Sequence, residues 1–229
     1  MVAALHPAGG ARLCGMNGSS NVSKDELRHR ALARRKLTTA EERSAAGEDL
    51  ARRFPVELLR TVAGADGEAR NDAARGVTVA AYVSMGSEME TRPLLAMLLA
   101  EGCRVLVPRL GSGREIGWSV LDSLDALETV NQPGHLRPDE PEGQVLPPEA
   151  LAECDLAIAP AMGVDPRGYR LGRGAGWYDR ALAARRAGCP LVAVCWPWEV
   201  LDDDLPAESH DVPADAVLTS AGFRALREV

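Results

Sequence analysis

The chain has 229 residues, of which 46% are hydrophobic, and it carries a net charge of −7 with a pI near 5.2. This length suits one domain, and the composition is that of a globular protein with a core. The acidic charge argues against a role in nucleic-acid binding, which usually needs a basic face. No segment stays apolar over the ~18 residues of a membrane helix, so we expect neither a nucleic-acid partner nor a membrane partner.

The domain is expected to begin near Ser23. Residues 1–22 show little hydrophobic periodicity and no signal-peptide pattern, so they are predicted to be a disordered leader, with Met16 as an alternative start. The remainder, 23–229, is predicted to be one compact domain. The five cysteines are scattered and odd in number, which is typical of a reducing cytoplasm. We expect a cytoplasmic protein in which three of them are buried, namely Cys103, Cys189 and Cys195.

Two helix-start signals open the domain. Ser23 is followed three residues later by Glu26, and Thr39 by Glu42, so each pair forms a candidate capping box. The first helix is rich in basic residues, and the second is expected to run towards Leu59. Residues 61–76 are rich in Gly, Ala and charge, and they are predicted to be a surface loop.

The rest of the chain alternates apolar runs with helical patterns. Strands are predicted over 77–83, 104–108, 116–121, 155–160, 191–195 and 216–219, helices over 90–100 and 176–187, and a polar excursion over 122–150. This alternation predicts an α/β fold with a mostly parallel central sheet and helices on both faces. Such sheets bind ligands outside the carboxyl ends of their strands. Three polar clusters follow such ends, over 84–91, 163–179 and 196–215.

The most informative motif is a glycine- and arginine-rich stretch over 170–179. Its glycines let the backbone approach a ligand, the following helix offers free N–H groups, and its arginines add fork-shaped positive charge. Asp179 could hold a hard cation such as Mg²⁺ beside a bound phosphate. The motif is neither a Walker A loop nor the usual dinucleotide fingerprint. A tight strand-to-helix connection without a ligand is the simpler alternative.

Other charged residues can be explained without a functional role when each is considered alone. Lys24 and Arg28 lie one helical turn apart and could be a solvated helix face. Glu88 and Glu90 could be charges favoured near a helix N-terminus. Asp211, like Asp215, could be an ordinary loop residue.

Taken together and in chain order, these motifs resemble those of the 5-formyltetrahydrofolate cyclo-ligase family, also called 5,10-methenyltetrahydrofolate synthetases. The resemblance covers roughly residues 23–220 and is strongest over 155–165 and 168–179, with 82–91 as a second matching block. It implies a ligase of one-carbon metabolism that depends on ATP and Mg²⁺. Its reaction would turn 5-formyltetrahydrofolate into 5,10-methenyltetrahydrofolate, ADP and phosphate, through a phosphorylated formyl intermediate.

The resemblance also implies a role for each matching residue. The residues matching catalytic groups are Arg173, Lys24 and Glu88. Those matching the ATP site are Lys24, Arg28, Arg170, Leu171, Gly172, Arg173, Gly174, Ala175, Gly176, Trp177 and Tyr178. Those matching the substrate site are Val83, Glu88, Arg173, Gly174, Ala175, Gly176 and Trp177. Those matching Mg²⁺ ligands are Asp179 and Asp211.

Two other functions remain open at this stage. One is a ligase of the same fold that acts on another formylated or carboxylated small molecule. The other is a non-catalytic relative that binds nucleotide or RNA. For the cyclo-ligase itself we expect two small-molecule substrates, ATP and a reduced formyl folate, and a monomer. Trp196 and Trp198 could line a pteridine pocket or pack at a strand end, and His210 is interpreted as incidental.

Overall fold

The computed structural model describes residues 22–64, 76–110, 116–130, 137–174, 176–208 and 210–227. Residues 1–21 of the predicted leader, 65–75 of the predicted loop and Ala175 lie outside these ranges. In chain order the elements are α1 (Lys24–Arg35), α2 (Ala40–Arg53), α3 (Glu57–Gly64), β1 (Thr78–Ala80), α4 (Arg92–Ala100), β2 (Arg104–Leu110), β3 (Ile116–Leu121), β4 (Leu127–Glu128), β5 (Glu140–Pro141), β6 (Leu156–Pro160), α5 (Trp177–Leu182), β7 (Leu191–Val194), β8 (Ala216–Thr219) and β9 (Gly222–Ala225).

Both predicted helix starts are confirmed. The Ser23 side chain accepts a hydrogen bond from the Glu26 amide, and Thr39 with Glu42 forms a complete capping box. The prediction that the second helix continues to Leu59 is wrong, because α2 ends at Arg53 and α3 follows separately. Pro55 has no N–H to donate and disfavours helical backbone in the residue before it, which is extended at φ −65° and ψ 126°.

The predicted parallel sheet is confirmed. Seven strands lie in the order β3-β2-β1-β6-β7-β8-β9, and the five inner strands are parallel. Both outer strands are antiparallel to their neighbours. The last strand, β9, was not predicted. Its sequence, Gly-Phe-Arg-Ala, is half-exposed and carries no continuous apolar signal. The excursion over 122–150 contains the two short strands of a second sheet, β4 and β5.

Two predicted elements are shorter in the structure. The strand expected over 77–83 ends at Ala80. The Ala81 amide still donates to the Leu106 carbonyl of β2, but the backbone after it is bound by Thr91, whose hydroxyl donates to Tyr82 O and accepts from Ser84 N. The helix expected over 176–187 ends at Leu182. The residues after it form tighter turns, in which amides bond to the carbonyl three residues back.

Helices and turns cover both faces of the sheet, as the strand pattern predicts. On one face α2, α3 and α4 pack against alternate strand residues such as Val79 and Ile158. On the other face α5 and the turn around Leu151 pack against the intervening residues, such as Ala80 and Ala157. Because successive strand residues point to opposite faces, this arrangement requires the continuous apolar runs seen in the sequence.

The first helix lies near the carboxyl ends of β6 and β7. Leu27 and Leu32 of α1 pack in a small cluster with Met162, Leu171 and Leu205. The chain leaves β1 towards β2 on one side and leaves β6 towards β7 on the other. This point, where the strand order reverses, is where open α/β sheets bind ligands.

The described residues hold no helix of the length and apolarity required to span a bilayer. The predicted burial of Cys103, Cys189 and Cys195 is confirmed, and Cys154 is buried as well. Burial raises the pKa of the Cys103 and Cys189 thiols to about 11 and that of Cys154 to about 12. Burial raises the pKa of the Cys195 thiol as well, so all four thiols stay protonated and unreactive near neutral pH.

A buried carboxylate shapes the turn before the glycine-arginine stretch. Asp165, which is fully buried, accepts hydrogen bonds from the amides of Arg167, Tyr169 and Leu205. Within the turn, Gly168 has φ +90°, and its carbonyl accepts a hydrogen bond from the Ala214 amide. The turn thus joins the segment after β6 to the segment before β8.

Replacing Gly168 with alanine should strongly destabilise the protein. A Cβ there would lie 2.1 Å from the Ala214 carbonyl oxygen, on backbone that cannot move without breaking the turn. We expect Gly168→Ala to lower the free energy of unfolding by about 3 kcal/mol or more in urea denaturation.

Gly188→Ala is the matched control. Gly188 has a similar φ of +82°, but no heavy atom lies within 4 Å of its added Cβ. The control should show only the left-handed backbone penalty, about 1–2 kcal/mol. Equal losses in the two variants would mean that the contact with Ala214 does not stabilise the fold.

Candidate active site at the carboxyl ends of the strands

The three polar clusters predicted at strand ends meet in the structure. Arg173 Nη2 of the second cluster lies 3.2 Å from Glu88 Oε1 of the first. The Trp196 indole of the third donates to the Ser87 carbonyl of the first at 3.2 Å. Backbone hydrogen bonds around Val164 join the second cluster to the third. Residues far apart in sequence therefore form one charged cleft at the switch point of the sheet.

Glu88 is a buried carboxylate with two different partners. Its side chain is only 5% exposed, Oε1 accepts from Arg173, and Oε2 accepts from the Met85 amide at 3.0 Å. Its neighbour Glu90 instead pairs with Arg92 and accepts from the Ser84 hydroxyl. Of the two glutamates singled out in the sequence, Glu88 is thus the one bound to the glycine-arginine loop.

The glycine-arginine loop is held against α1. Arg28 Nε donates to the Gly172 carbonyl at 2.9 Å. Gly174 has φ +101°, and a Cβ there would lie 3.6 Å from the Arg28 guanidinium carbon, so the loop and the helix are in close contact. Arg173, the residue between these glycines, is 36% exposed in its side chain. The loop therefore presents one accessible guanidinium over a backbone fixed by α1.

A second arginine of the loop is buried beside the predicted metal ligands. Arg170 Nη2 donates to Asp179 Oδ1 at 2.9 Å, and Arg170 Nε lies 3.4 Å from the Val212 carbonyl. Burial lowers the pKa of Arg170, although the charges of Asp179 and Asp211 partly oppose that shift. Arg170 therefore brings α5 and the segment containing Asp211 to the same place.

Lys24 pairs with Asp211, the second predicted magnesium ligand. Its ammonium lies 2.9 Å from Asp211 Oδ2 and 3.2 Å from Glu208 Oε1. Burial opposes ionisation of Asp211, but the Glu208 amide and Lys24 outweigh it and hold the Asp211 pKa below its usual value. Burial likewise opposes the charge of Lys24, and the same two carboxylates raise its pKa. Both groups are therefore ionised at neutral pH.

The two candidate magnesium ligands suit an ion that is bound partly by the protein and partly by a ligand, not one that is coordinated by the protein alone. Asp179 and Asp211 both flank Arg170, and both offer hard carboxylate oxygens. Within the described ranges no group of three or more metal-ligating side chains occurs. These residues fit an ion whose remaining ligands come from phosphate oxygens and water, which is the usual way in which proteins bind Mg²⁺ with nucleotides.

The two aromatic residues after the loop, Trp177 and Tyr178, begin α5, and both are partly buried. Desolvation raises the pKa of the Tyr178 hydroxyl well above its usual range, as it does for the buried Tyr82. Val83 is 3% exposed and packs in the core. Their predicted roles, like that of Ala175 outside the described residues, stay predictions.

Trp196 and Trp198 pack at the end of β7. Their rings stack with centroids 4.5 Å apart, and the Arg34 guanidinium lies 4.5 Å above the ring of Trp198. Of the two alternatives left open by the sequence, these contacts favour packing. His210 lies 3.8 Å from Asp211 and is mostly exposed.

One buried arginine of the site was not predicted from sequence. Arg35, 2% exposed, donates twice to the Glu199 carboxylate at 2.7 Å and to the Ala161 carbonyl at 2.6 Å. Its remaining nitrogen, Nη1, lies 3.9 Å from Glu88 Oε1 and makes no hydrogen bond among the described residues. In sequence Arg35 is one of several basic residues at the end of a helix, so nothing distinguishes it from a solvated charge.

A pocket of about 380 Å³ opens beside Glu88. It lies between α2, the loop after β1 and the segment leading to β5. Its charged and hydroxyl-bearing lining residues are Arg43, Ser44, Ser84, Glu88, Glu90, Arg92, Arg137 and Asp139. In sequence, the block 133–138 that contains Arg137 matches a family segment near the substrate only loosely, and Arg43 lies in a helix without a motif, so the pocket was not predicted.

The fold places the chain among doubly wound α/β proteins with a glycine-rich loop at the topological switch point. The model of the 5-formyltetrahydrofolate cyclo-ligase family matches residues 20–220. The chain belongs to this family and is a ligase, which confirms the resemblance drawn from its motifs.

Named relatives agree with this assignment. The chain is 39% identical over 163 residues to a 5-formyltetrahydrofolate cyclo-ligase of Mycolicibacterium smegmatis, covering 66% of this chain and 78% of that protein. It is 31% identical over 152 residues to the Escherichia coli protein of that name, covering 62% and 77%. The solution structure of Aquifex aeolicus 5,10-methenyltetrahydrofolate synthetase is similar with a TM-score of 0.62 at 28% identity, covering 90% of this chain and 94% of that one.

Removing the buried guanidinium of Arg35 should destabilise the fold. Arg35→Met would leave the Glu199 carboxylate, itself 2% exposed, without its cation. We expect the free energy of unfolding to fall by about 3–5 kcal/mol, measured by chemical denaturation.

Arg34→Met provides the comparison from the same helix. Arg34 contacts the face of Trp198 and is the neighbouring residue, so its loss should cost roughly 1 kcal/mol. A loss as small as this in Arg35→Met would mean that the pair with Glu199 contributes no more than a surface contact.

Proposed function

We propose that this protein uses MgATP to convert 5-formyltetrahydrofolate into 5,10-methenyltetrahydrofolate, with release of ADP and phosphate. The observation that carries the proposal is the contact between Arg173 and Glu88. It joins the loop proposed to bind ATP to the carboxylate proposed to bind the folate. Family membership supports the same reaction.

The chemistry explains why both substrates must meet. A formamide carbonyl is a poor electrophile, so its oxygen first attacks the terminal phosphorus of ATP, and ADP leaves. The formyl carbon then carries a phosphate ester, which is a good leaving group. The second folate nitrogen attacks this carbon, the carbon–oxygen bond breaks, and phosphate departs with the former formyl oxygen. The proton of that nitrogen is released to the phosphate, which balances the reaction.

The cations of the cleft suit the first step. Phosphoryl transfer depends mainly on alignment and on neutralising the charge of the phosphate oxygens. Arg28 contacts the glycine-arginine loop from α1, Lys24 of the same helix reaches Asp211, and Arg173 extends from the loop itself. We infer that Lys24 and Arg28 hold the nucleotide phosphates, while Arg173 contacts the transferring group.

Asp179 and Asp211 would hold the Mg²⁺ ion, which supplies further neutralisation of phosphate charge. In the structure each carboxylate is paired with a cation, Arg170 for Asp179 and Lys24 for Asp211. Nucleotide binding would therefore exchange partners, since Lys24 moves from a carboxylate to a phosphate. Arg170 is 3% exposed in its side chain and remains as the fixed charge of this group.

Glu88 is placed to orient the folate. A carboxylate that accepts hydrogen bonds can bind the N–H groups of a reduced pterin ring, and the backbone bond from Met85 fixes its direction. It can also receive a proton near the reacting nitrogens. Arg173 reaches the same carboxylate, so the group that binds folate and the group proposed to contact phosphate are adjacent.

Purified protein should form methenyltetrahydrofolate only when 5-formyltetrahydrofolate, ATP and Mg²⁺ are all present. The absorbance of the product gives the rate, and ADP and phosphate should appear in equal amounts. Chelating Mg²⁺ should stop the reaction, and restoring it should recover the rate. Product formation without nucleotide would contradict the proposal.

Arg173→Lys should slow the reaction more than it weakens ATP binding. Lysine keeps the charge but loses the two-pronged geometry that matches phosphate oxygens. If the contact strengthens in the transition state, kcat should fall by the equivalent of about 2–3 kcal/mol, with a smaller rise in KM for ATP.

Arg30→Lys serves as the control, since Arg30 is 62% exposed on α1 and pairs with Glu26. It should leave both constants unchanged. If Arg173 serves only to pin the loop to Glu88, Arg173→Lys would lower the melting temperature and leave kcat near the wild-type value. Steady-state kinetics and a melting curve on the same sample separate these results.

A further inference from the structure

The pocket beside Glu88 contains three guanidinium groups, and two of them are already neutralised. Arg92 pairs with Glu90 and Asp139 across the pocket. Arg137 pairs with Glu140 at 2.9 Å. These contacts fix the wall of the pocket and leave little positive charge on that side for a ligand.

Arg43, the third guanidinium, has neutral partners. Its Nη1 donates to the Thr38 carbonyl at 2.6 Å and approaches the Thr38 hydroxyl at 3.3 Å. Across the part of the chain that the structure describes, Arg43 forms no ion pair, and its Nε and Nη2 make no hydrogen bond. It is half-buried and lines the pocket, so its unpaired charge is available to a ligand bound there.

The backbone fixes Arg43 relative to Glu88. The Arg43 carbonyl accepts a hydrogen bond from the Glu90 amide at 3.1 Å. One turn later, Gly47 allows α2 to press against the same loop, because a Cβ there would lie 2.2 Å from the Glu90 carbonyl oxygen. Arg43 therefore lies at a set position in the wall of the pocket whose other side includes Glu88.

We propose that Arg43 binds a carboxylate of the glutamate portion of the folate substrate and so determines the preference for folates that carry glutamate. The inference rests on the proposed function, which places the formyl-bearing pterin end at Glu88. The other end of a folate is a benzoylglutamate with two carboxylates, and Arg43 lines the same pocket as Glu88. A carboxylate entering a confined site needs a cation and hydrogen-bond donors, and the free edge of the Arg43 guanidinium supplies both.

The neighbouring groups support a carboxylate ligand of this kind. Ser44 on the same helix adds a hydroxyl that can donate to a carboxylate oxygen. The fixed pairs of Arg92 provide acidic oxygens that would repel a carboxylate placed elsewhere on that wall. The charge pattern therefore favours binding of the anionic group beside Arg43.

The test compares two substrates that differ only in the glutamate. One is 5-formyltetrahydrofolate, and the other is 5-formyltetrahydropteroate, which ends at the benzoate carboxyl. For the wild-type protein we expect a KM for the second compound about tenfold higher, since one charge-assisted contact is worth about that factor. Arg43→Ala should raise the KM for the folate about tenfold and change that for the pteroate less than twofold. The kcat for both should stay within twofold of the wild type.

The control is Arg52→Ala, on the same helix. Arg52 is 66% exposed and pairs with Asp49, so its loss should change neither KM. If Arg43→Ala proves too unstable to assay, Arg43→Gln removes the charge with a smaller change in volume and is judged by the same pair of KM values.

The possible results separate this inference from the proposed function. If the wild type turns over neither compound, the proposed function fails and the subsite fails with it. If the wild type turns over both with equal KM, or if Arg43→Ala raises both KM values alike, the reaction stands and the Arg43 subsite is wrong. A loss confined to the folate that carries glutamate supports the subsite.

Discussion

The buried contact between Arg35 and Glu199 fixes the geometry on which the rest of the site depends. Both side chains are 2% exposed, so the pair is favourable only because the guanidinium meets both carboxylate oxygens and the Ala161 carbonyl as well. These bonds tie the end of α1 to the carboxyl ends of β6 and β7. The same helix carries Lys24 and Arg28 at its other end, and the position of Lys24 beside Asp211 and of Arg28 on the glycine-arginine loop follows from that anchor.

The anchor also reaches the carboxylate at the centre of the cleft. Arg35 Nη1 lies 3.9 Å from Glu88, and Arg173 approaches the same oxygen from the opposite segment of the chain. One of these cations is buried and rigid, whereas the other is 36% exposed on a glycine-rich loop. Glu88 would thus keep a fixed positive neighbour if Arg173 turned to a ligand, as the proposed function requires.

The parts predicted from sequence are those with a local or periodic signal. Continuous apolar runs predicted the parallel sheet, hydroxyl–glutamate spacings predicted two helix starts, and the glycine-arginine motif predicted which loop faces the switch point. Other features depend on long-range contacts, which a single sequence does not show. The capping pattern showed where α2 begins but not that it ends before Pro55. The half-exposed β9 is recognisable as a strand only through its pairing at the edge of the sheet. Arg35 and Arg43 look like any other basic helix residues until their partners are known.

The charge pairing of the cleft has a consequence for how fast ligands associate. Lys24, Arg28, Arg170 and Arg173 each lie against a carboxylate of the protein, so the field of these four cations is largely cancelled a short distance away. The chain as a whole is acidic, with a net charge of −7. The polyphosphate of the proposed nucleotide would therefore gain little from electrostatic steering, and its association rate would be governed by collision and by the exchange of ion-pair partners inside the cleft. Recognition in such a site is a short-range event, which begins only after the anion has entered.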